Sequence, residues 1–255
     1  MPKKYQILNG DSLAQSFSET NIEGEIVVVR EGLIDGDLSG ATLDEFWKSR
    51  AAFHDATIEE YRSIVVSEFQ KLENAPADSE FNLWFEYDLF CQVNMWFIIW
   101  FLNRIPVSKK VYAVYTNHLQ EGDKNFWNGF GPAGINELKT CYSKKILLSE
   151  SDLQLGENLW KNYKEQNLNE LIALSEKKSS SFPYLKEVIR AHVERFPQDE
   201  SLGRPEKVLS EIIENNPADF QEVFREFWKR ESIYGFGDLQ LKHLYDKLIN
   251  ALRKE

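Results

Sequence analysis

Gly10-Asp11-Ser12 follows the apolar run Tyr5–Leu8 and sets a carboxylate beside a hydroxyl where a strand gives way to a helix. A serine so placed can act as a nucleophile if a base takes its proton. The chain has four histidines, His54, His118, His192 and His243, and Asp238 with His243 is the nearest C-terminal source of such a base. Ser12 and Gln15 also have capping-box spacing, in which the hydroxyl accepts a backbone N–H and Gln15 reaches back. The local sequence favours this second reading, with Ser12 as an N-cap. A helix capped by Ser12 does not require Asp11, which leaves that carboxylate free for a ligand.

Similar polar groups end three further apolar runs. The first strand closes in Asn9, Gly10 and Asp11, the second in Arg30 and Glu31, the third in Glu86 and Asp88, and the fourth in Thr116, Asn117 and His118. In an open α/β sheet, ligands bind beyond the carboxyl ends of the strands, so these groups converge if the sheet is parallel. Carboxylates with one arginine could hold a divalent cation, an amine, or a phosphorylated ligand neutralised by Arg30 and a helix N-terminus. The residue types leave that choice open. Polar residues also end strands that bind nothing, and Asp88 has the position of an ordinary N-cap.

The elements that must position these groups follow from pattern. "YQILNG", "EIVVVRE", "FNLWFEYD" and "KVYAVYTN" are short β-branched or aromatic runs separated by helical segments, which predicts a mostly parallel sheet of about four strands. Thr57 and Glu60 form a capping box before an apolar stripe of Ile58, Tyr61, Ile64, Val65, Phe69 and Leu72 that ends near Asn74 and Pro76. Asp88 caps a helix running to about Asn103 that is apolar almost all round and belongs under other layers. "GFGPAGIN", Gly129 to Asn136, lacks dinucleotide-binding glycine spacing and reads as a flexible loop.

From Ser149 the strand signals stop and amphipathic helices follow one another. Pro205 suits a first turn, Asn216-Pro217 is a stop, Asp219 with Glu222 restarts, and Gly235 and Gly237 break the chain before Asp238. The division is an α/β domain over residues 1–148 and an all-α domain over 149–255, with the softest stretch at "EKKSSSFP", Glu176 to Pro183. His192, between Ile189 and Val193 on an apolar face, reads as a core histidine.

The 255 residues, 42% hydrophobic and 13% aromatic, can bury a sizeable core. A formal charge of -11 with interspersed basic residues disfavours a nucleic-acid partner, including DNA binding by a winged-helix-like unit from Pro205 to Glu255. The greasiest run, Met95 to Leu102, is far short of the roughly 18–20 residues of a membrane span. Two separated cysteines, Cys91 and Cys141, and the lack of an export signal suggest a cytoplasmic protein without a membrane partner.

Two resemblances bear on function. The strand ending in Gly10-Asp11-Ser12 resembles the first block of the SGNH or GDSL hydrolases, which would make Ser12 the nucleophile. That family draws its base from an Asp-x-x-His motif, whereas here Ala51, Tyr115, Ile189 and Gln240 stand three positions before the histidines. At "ILNGDSLA", "VVVREGLIDG", "FWKSR" and "LWFEYDLFCQVN" the N-terminal half resembles a bacterial family catalogued as domain of unknown function eighteen thirty-five. "FPYLKEVIRAHVERFP" and "YGFGDLQ" look like the helical region of its longer members, although Val29 stands where that family usually has tryptophan. The resemblance implies that Asp11, Arg30, Glu31, Glu86 and Asp88 are motif positions and assigns none of them a role.

The expectation is therefore a protein that binds or processes a small ligand, phosphorylated or nucleotide-like among the options, at the carboxyl edge of its N-terminal sheet. The candidates are Asn9, Gly10, Asp11, Ser12, Arg30, Glu31, Glu86, Asp88, Asn117 and His118. The alternative is a sensing or protein-interaction module without catalysis. No cofactor, metal or protein partner is named by these residues.

Overall fold

The computed structural model describes residues 2–116, 129–197, 199, 201–215 and 219–252. Four parallel strands, β1 (Lys4–Asn9), β2 (Glu25–Val29), β3 (Ser79–Trp84) and β4 (Lys109–Val114), and a two-residue fifth, β5 (Ile146–Leu147), form one sheet. Its order is β2-β1-β3-β4-β5, with β5 antiparallel to β4. The four runs expected from sequence are the parallel strands; the fifth is too short to leave an apolar run.

The period-2 alternation of the strands divides two cores. Tyr5, Ile7, Phe81, Leu83, Val111 and Ala113 face the larger one, while Leu8, Trp84 and Val114 face a smaller one with Phe17, Leu138 and Cys141. The smaller core is closed by α1 (Asp11–Phe17) and, beyond β4, by α6 (Ile135–Ser143). The larger side carries α2 (Leu43–Phe53), α3 (Ile58–Tyr61), α4 (Ser67–Glu73) and α5 (Leu89–Asn103). Thr42 and Glu45 cap α2 reciprocally, as Thr57 and Glu60 cap α3.

Between α3 and α4 the backbone takes a π turn, Arg62–Val66. The expected apolar stripe is interrupted there: Ile64 is 54% exposed, because the wider turn rotates the residues around it out of the 3.6-residue register. The edge strand β2 is not left open. Glu68 Oε2 accepts from the Val28 N–H at 3.0 Å and Lys71 Nζ donates to the Ile26 carbonyl at 3.2 Å, which occupies the groups that would recruit another strand.

The second half is helical: α7 (Glu150–Lys164), α8 (Leu168–Ser175), α9 (Leu185–Val193), α10 (Arg204–Asn215), α11 (Phe220–Glu231) and α12 (Asp238–Leu252). Helix α5 lies between the sheet and α7, which explains why every residue from Leu89 to Asn103 except Phe90, Trp100 and Asn103 is buried. One hydrophobic cluster runs from Tyr5 through Trp96 and Trp160 to Leu248, so both halves contribute to the same interior. Residues 204–252 contain no strand among the described residues, so the winged-helix expectation lacks its β-hairpin. The "EKKSSSFP" stretch is anchored on α7, with Ser179 Oγ and Ser181 Oγ donating to Asp152 at 2.7 and 3.2 Å. No helix among the described residues is long and apolar enough to cross a membrane.

Candidate functional site

From β1 the chain moves outward to β2 and then returns past β1 to β3, so the carboxyl ends of β1 and β3 flank the topological switch point. Asn9 and Gly10 leave one strand there, and Glu86 and Asp88 leave the other. A cavity of about 270 Å³ opens between them, lined by Asn9, Ser12, Leu13, Ser16, Glu86, Asp88, Phe90 and Cys91, and on its far side by Gly129, Phe130, Gly131, Ala133, Trp228 and Gly235.

The floor is a connected polar cluster. Asp88 is the N-cap of α5 and accepts the Cys91 N–H at 3.0 Å. One turn into that helix, the Cys91 thiol donates to Glu86 Oε2 at 2.8 Å and accepts from Asn9 Nδ2 at 3.0 Å. Glu86 Oε1 accepts the Phe130 N–H at 3.0 Å, and Asn94 Nδ2 donates to Asn9 Oδ1 at 2.8 Å. Ligand atoms of Glu86, Asp88 and Cys91 lie within 4.8 Å of one another, near enough to share one cation.

The electrostatics follow from burial. Desolvation, then the nearby charge of Glu86, pushes the Asp88 carboxyl up to about 7. Burial and the same two carboxylates push the Cys91 thiol well above its ordinary value, so it is a hydrogen-bonding thiol and not an activated nucleophile.

Two glycines let backbone close over this floor. Gly129 (φ 61°) lies against the Glu86 side chain, and Gly235 (φ 62°) lies against Asp88 Oδ1, so a Cβ at either place would collide with the carboxylate. Gly235 follows the short 3-10 turn Ser232–Tyr234 and brings the helical half directly onto Asp88. Trp228 of α11 forms the adjoining wall, its indole N–H donating to the Phe236 carbonyl at 3.1 Å.

Of the residues expected at the site, Asn9, Ser12, Glu86 and Asp88 line this cavity, and Gly10 forms the turn between Asn9 and α1. Ser12 does not cap α1. The helix starts at Asp11 with Gly10 as its N-cap and no side-chain cap, so Ser12 falls inside the first turn. Asp11 lies outside the cavity and pairs with Arg30, whose Nε donates to Oδ1 and Oδ2 at 3.0 and 2.9 Å. Arg30 also donates to the Ile64 carbonyl of the π turn at 3.0 Å and lies 3.5 Å from Glu68.

Glu31 turns away from the cavity into the larger core. Its carboxylate accepts from Arg50 Nε and Nη2 at 3.0 and 2.8 Å and from the Tyr61 hydroxyl. Burial alone would raise Glu31, but hydrogen bonds from His54, Arg50 and Tyr61 with the Arg50 charge hold it below the usual carboxylate range. Asn117 and His118 lie outside the described residues.

Among the described residues, Ser12 has no hydrogen bond to an imidazole, and His243 Nδ1 instead faces Asp35 at 3.9 Å. His192 is 3% exposed, packed 4.6 Å from the Tyr163 ring, and pushed down to about 3 by burial and Arg195, as suits an uncharged core position.

Cys91, Gly129, Phe130, Trp228 and Gly235 are among the cavity residues that escaped the sequence reading. Cys91 was hidden in an apolar helix, although its place three residues after the Asp88 cap puts it in the first turn. Phe130 and Gly129 belong to the segment expected to be a loop; its residues from 129 turn into α6, which Gly134 caps. Trp228 and Gly235 arrive through tertiary packing and carry no local signal. No family model matches the chain, and no curated protein or solved structure does.

Proposed function

We propose that the protein binds a small cationic ligand in the crevice between the carboxyl ends of β1 and β3. The observation that carries this reading is an imbalance of charge: Glu86 and Asp88 line the cavity, and among the described residues none that lines it is lysine, arginine or histidine. A carboxyl that is buried without a counter-ion stays protonated to higher pH, and an incoming cation supplies the charge that lets it ionise. Asp88 is therefore expected to release a proton when the ligand binds below about pH 7.

The phosphorylated ligand loses support because Arg30, its expected counter-ion, is engaged by Asp11 outside the cavity. Helix α1 offers no substitute, since Asp11 already sits in its first turn. A sensing role without catalysis is favoured by one further feature. Trp228 and Gly235 belong to the helical half, so an occupant of the cavity touches both halves of the chain. Membership of the family catalogued as domain of unknown function eighteen thirty-five is part of the same proposal and rests on the motifs alone.

A thermal-shift panel of organic and inorganic cations against phosphate, nucleotides and carboxylates tests the reading, because a ligand of the native state raises Tm by mass action. Cations are expected to raise Tm and anions to leave it unchanged. A response to anions alone would contradict the proposal.

A further inference from the structure

The cation's own chemistry can be narrowed from the cavity walls, an inference that rests on the cation-binding reading. Asp88 is 5% exposed, and its Oδ1 is engaged by the Cys91 N–H at 3.0 Å. The Cys91 thiol and the Asp88 N–H also lie near this carboxyl, and no basic side chain among the described residues donates to it, although Asp88 lines the cavity. Glu86 already accepts from the Phe130 N–H and the Cys91 thiol. Ser12, exposed in the first turn of α1, lines the same cavity with no cap hydrogen bond. Asn9 and Ser16 also line it, and the rest of the wall carries an apolar patch. It is formed by Leu13, Phe130 and the Trp228 ring, whose N–H is already engaged by Phe236.

We propose that the ligand is a primary ammonium compound with a short aromatic or branched apolar body, its charged end directed to Asp88 Oδ2, Glu86 and Ser12 and its body to Phe130 and Trp228. A primary ammonium brings three N–H donors and no acceptor, which matches a floor whose carboxylate oxygens and Ser12 hydroxyl keep accepting lone pairs. A quaternary ammonium has no N–H to give Asp88. A bare divalent ion would leave most of the 270 Å³ and the aromatic wall unused.

Titration calorimetry on the full chain tests this with 2-phenylethylammonium, its neutral counterpart 2-phenylethanol, magnesium chloride and zinc chloride. The expected result is saturable binding of the ammonium alone. Asp88→Asn, which retains an N-cap, and Ser12→Lys, an exposed change that adds a competing charge, should each weaken it about tenfold or more. Binding of a divalent ion with no response to the ammonium overturns this inference and leaves the cation reading standing. Equal binding of the alcohol and the ammonium overturns it by reducing the cavity to an apolar slot. No heat from any of the four overturns both.

Discussion

Two carboxylate clusters stand at the same edge of the sheet and are built in opposite ways. At the end of β2, Glu31 and Arg50 are both fully buried as a hydrogen-bonded pair, with Tyr61 completing the carboxylate. At the end of β3, Glu86 and Asp88 face a cavity that no basic side chain lines among the described residues. The first arrangement satisfies its charges internally and ties β2 to α2 and α3. The second leaves its carboxyl groups without a basic partner among the described residues that line the cavity. Burial acts on both clusters; the presence or absence of a counter-ion decides whether the carboxyl is held low, as in Glu31, or raised, as in Asp88.

The contrast can be broken most severely at its structural member. Arg50→Ala leaves Glu31 buried without its partner and is expected to cost about 3–5 kcal/mol in urea unfolding. A loss below about 1 kcal/mol would show that Glu31 is not a structural lock. The pH dependence has a definite sign. Because Glu31 is held below its ordinary value of 4.5, its contribution is present above that pH and is lost as the pH falls below it.

The next largest effect is expected where the helical half meets the other cluster. Gly235→Ala forces a left-handed residue to carry a Cβ against Asp88 and should destabilise by about 1–3 kcal/mol. Since one hydrophobic cluster spans both halves, the loss should appear as a shift of a single unfolding transition. Two separated transitions, only one of them shifted, would mean that the halves unfold independently.

The smallest effect belongs to Asp11. Its side chain is 55% exposed and its ion pair with Arg30 is open to solvent, so Asp11→Asn should change stability by no more than about 1 kcal/mol. It should also leave ammonium binding unaltered in calorimetry, because Asp11 does not line the cavity. Loss of binding would enlarge the site to include the Asp11–Arg30 pair.

The sequence made the frame legible wherever a local pattern was strong. Apolar runs bounded by Gly, Asn and Asp located β1 to β4, and Asp88 announced the start of α5. Helix α2 was obscured because Arg50 occupies a buried position on an otherwise mixed face, where its pairing with Glu31 and not its hydropathy places it inside. The π turn left no pattern in which Ile64 could be seen to face outward. At the site, Asn9, Ser12, Glu86 and Asp88 could be placed together because they end or follow strands in one parallel sheet. Whether Arg30 and Glu31 shared that cavity depended on partners from other segments, Asp11 and Arg50, and strand position does not encode such choices. The same limit hid Trp228 and Gly235.

The most direct test of the contrast is the stability of Asp88→Asn relative to the unaltered protein at pH 5 and pH 8, measured by urea unfolding without ligand. Between the ordinary value of 3.8 and about 7, folded Asp88 holds a proton that the unfolded chain has lost, so its contribution falls as the pH rises through that window and levels off above it. Asparagine retains the α5 cap and cannot ionise. The variant should therefore gain on the unaltered protein between pH 5 and pH 8, by on the order of 1–3 kcal/mol. A variant that gains nothing over that interval would make Asp88 a structural carboxylate like Glu31 and would contradict the assignment of this cavity to a cation.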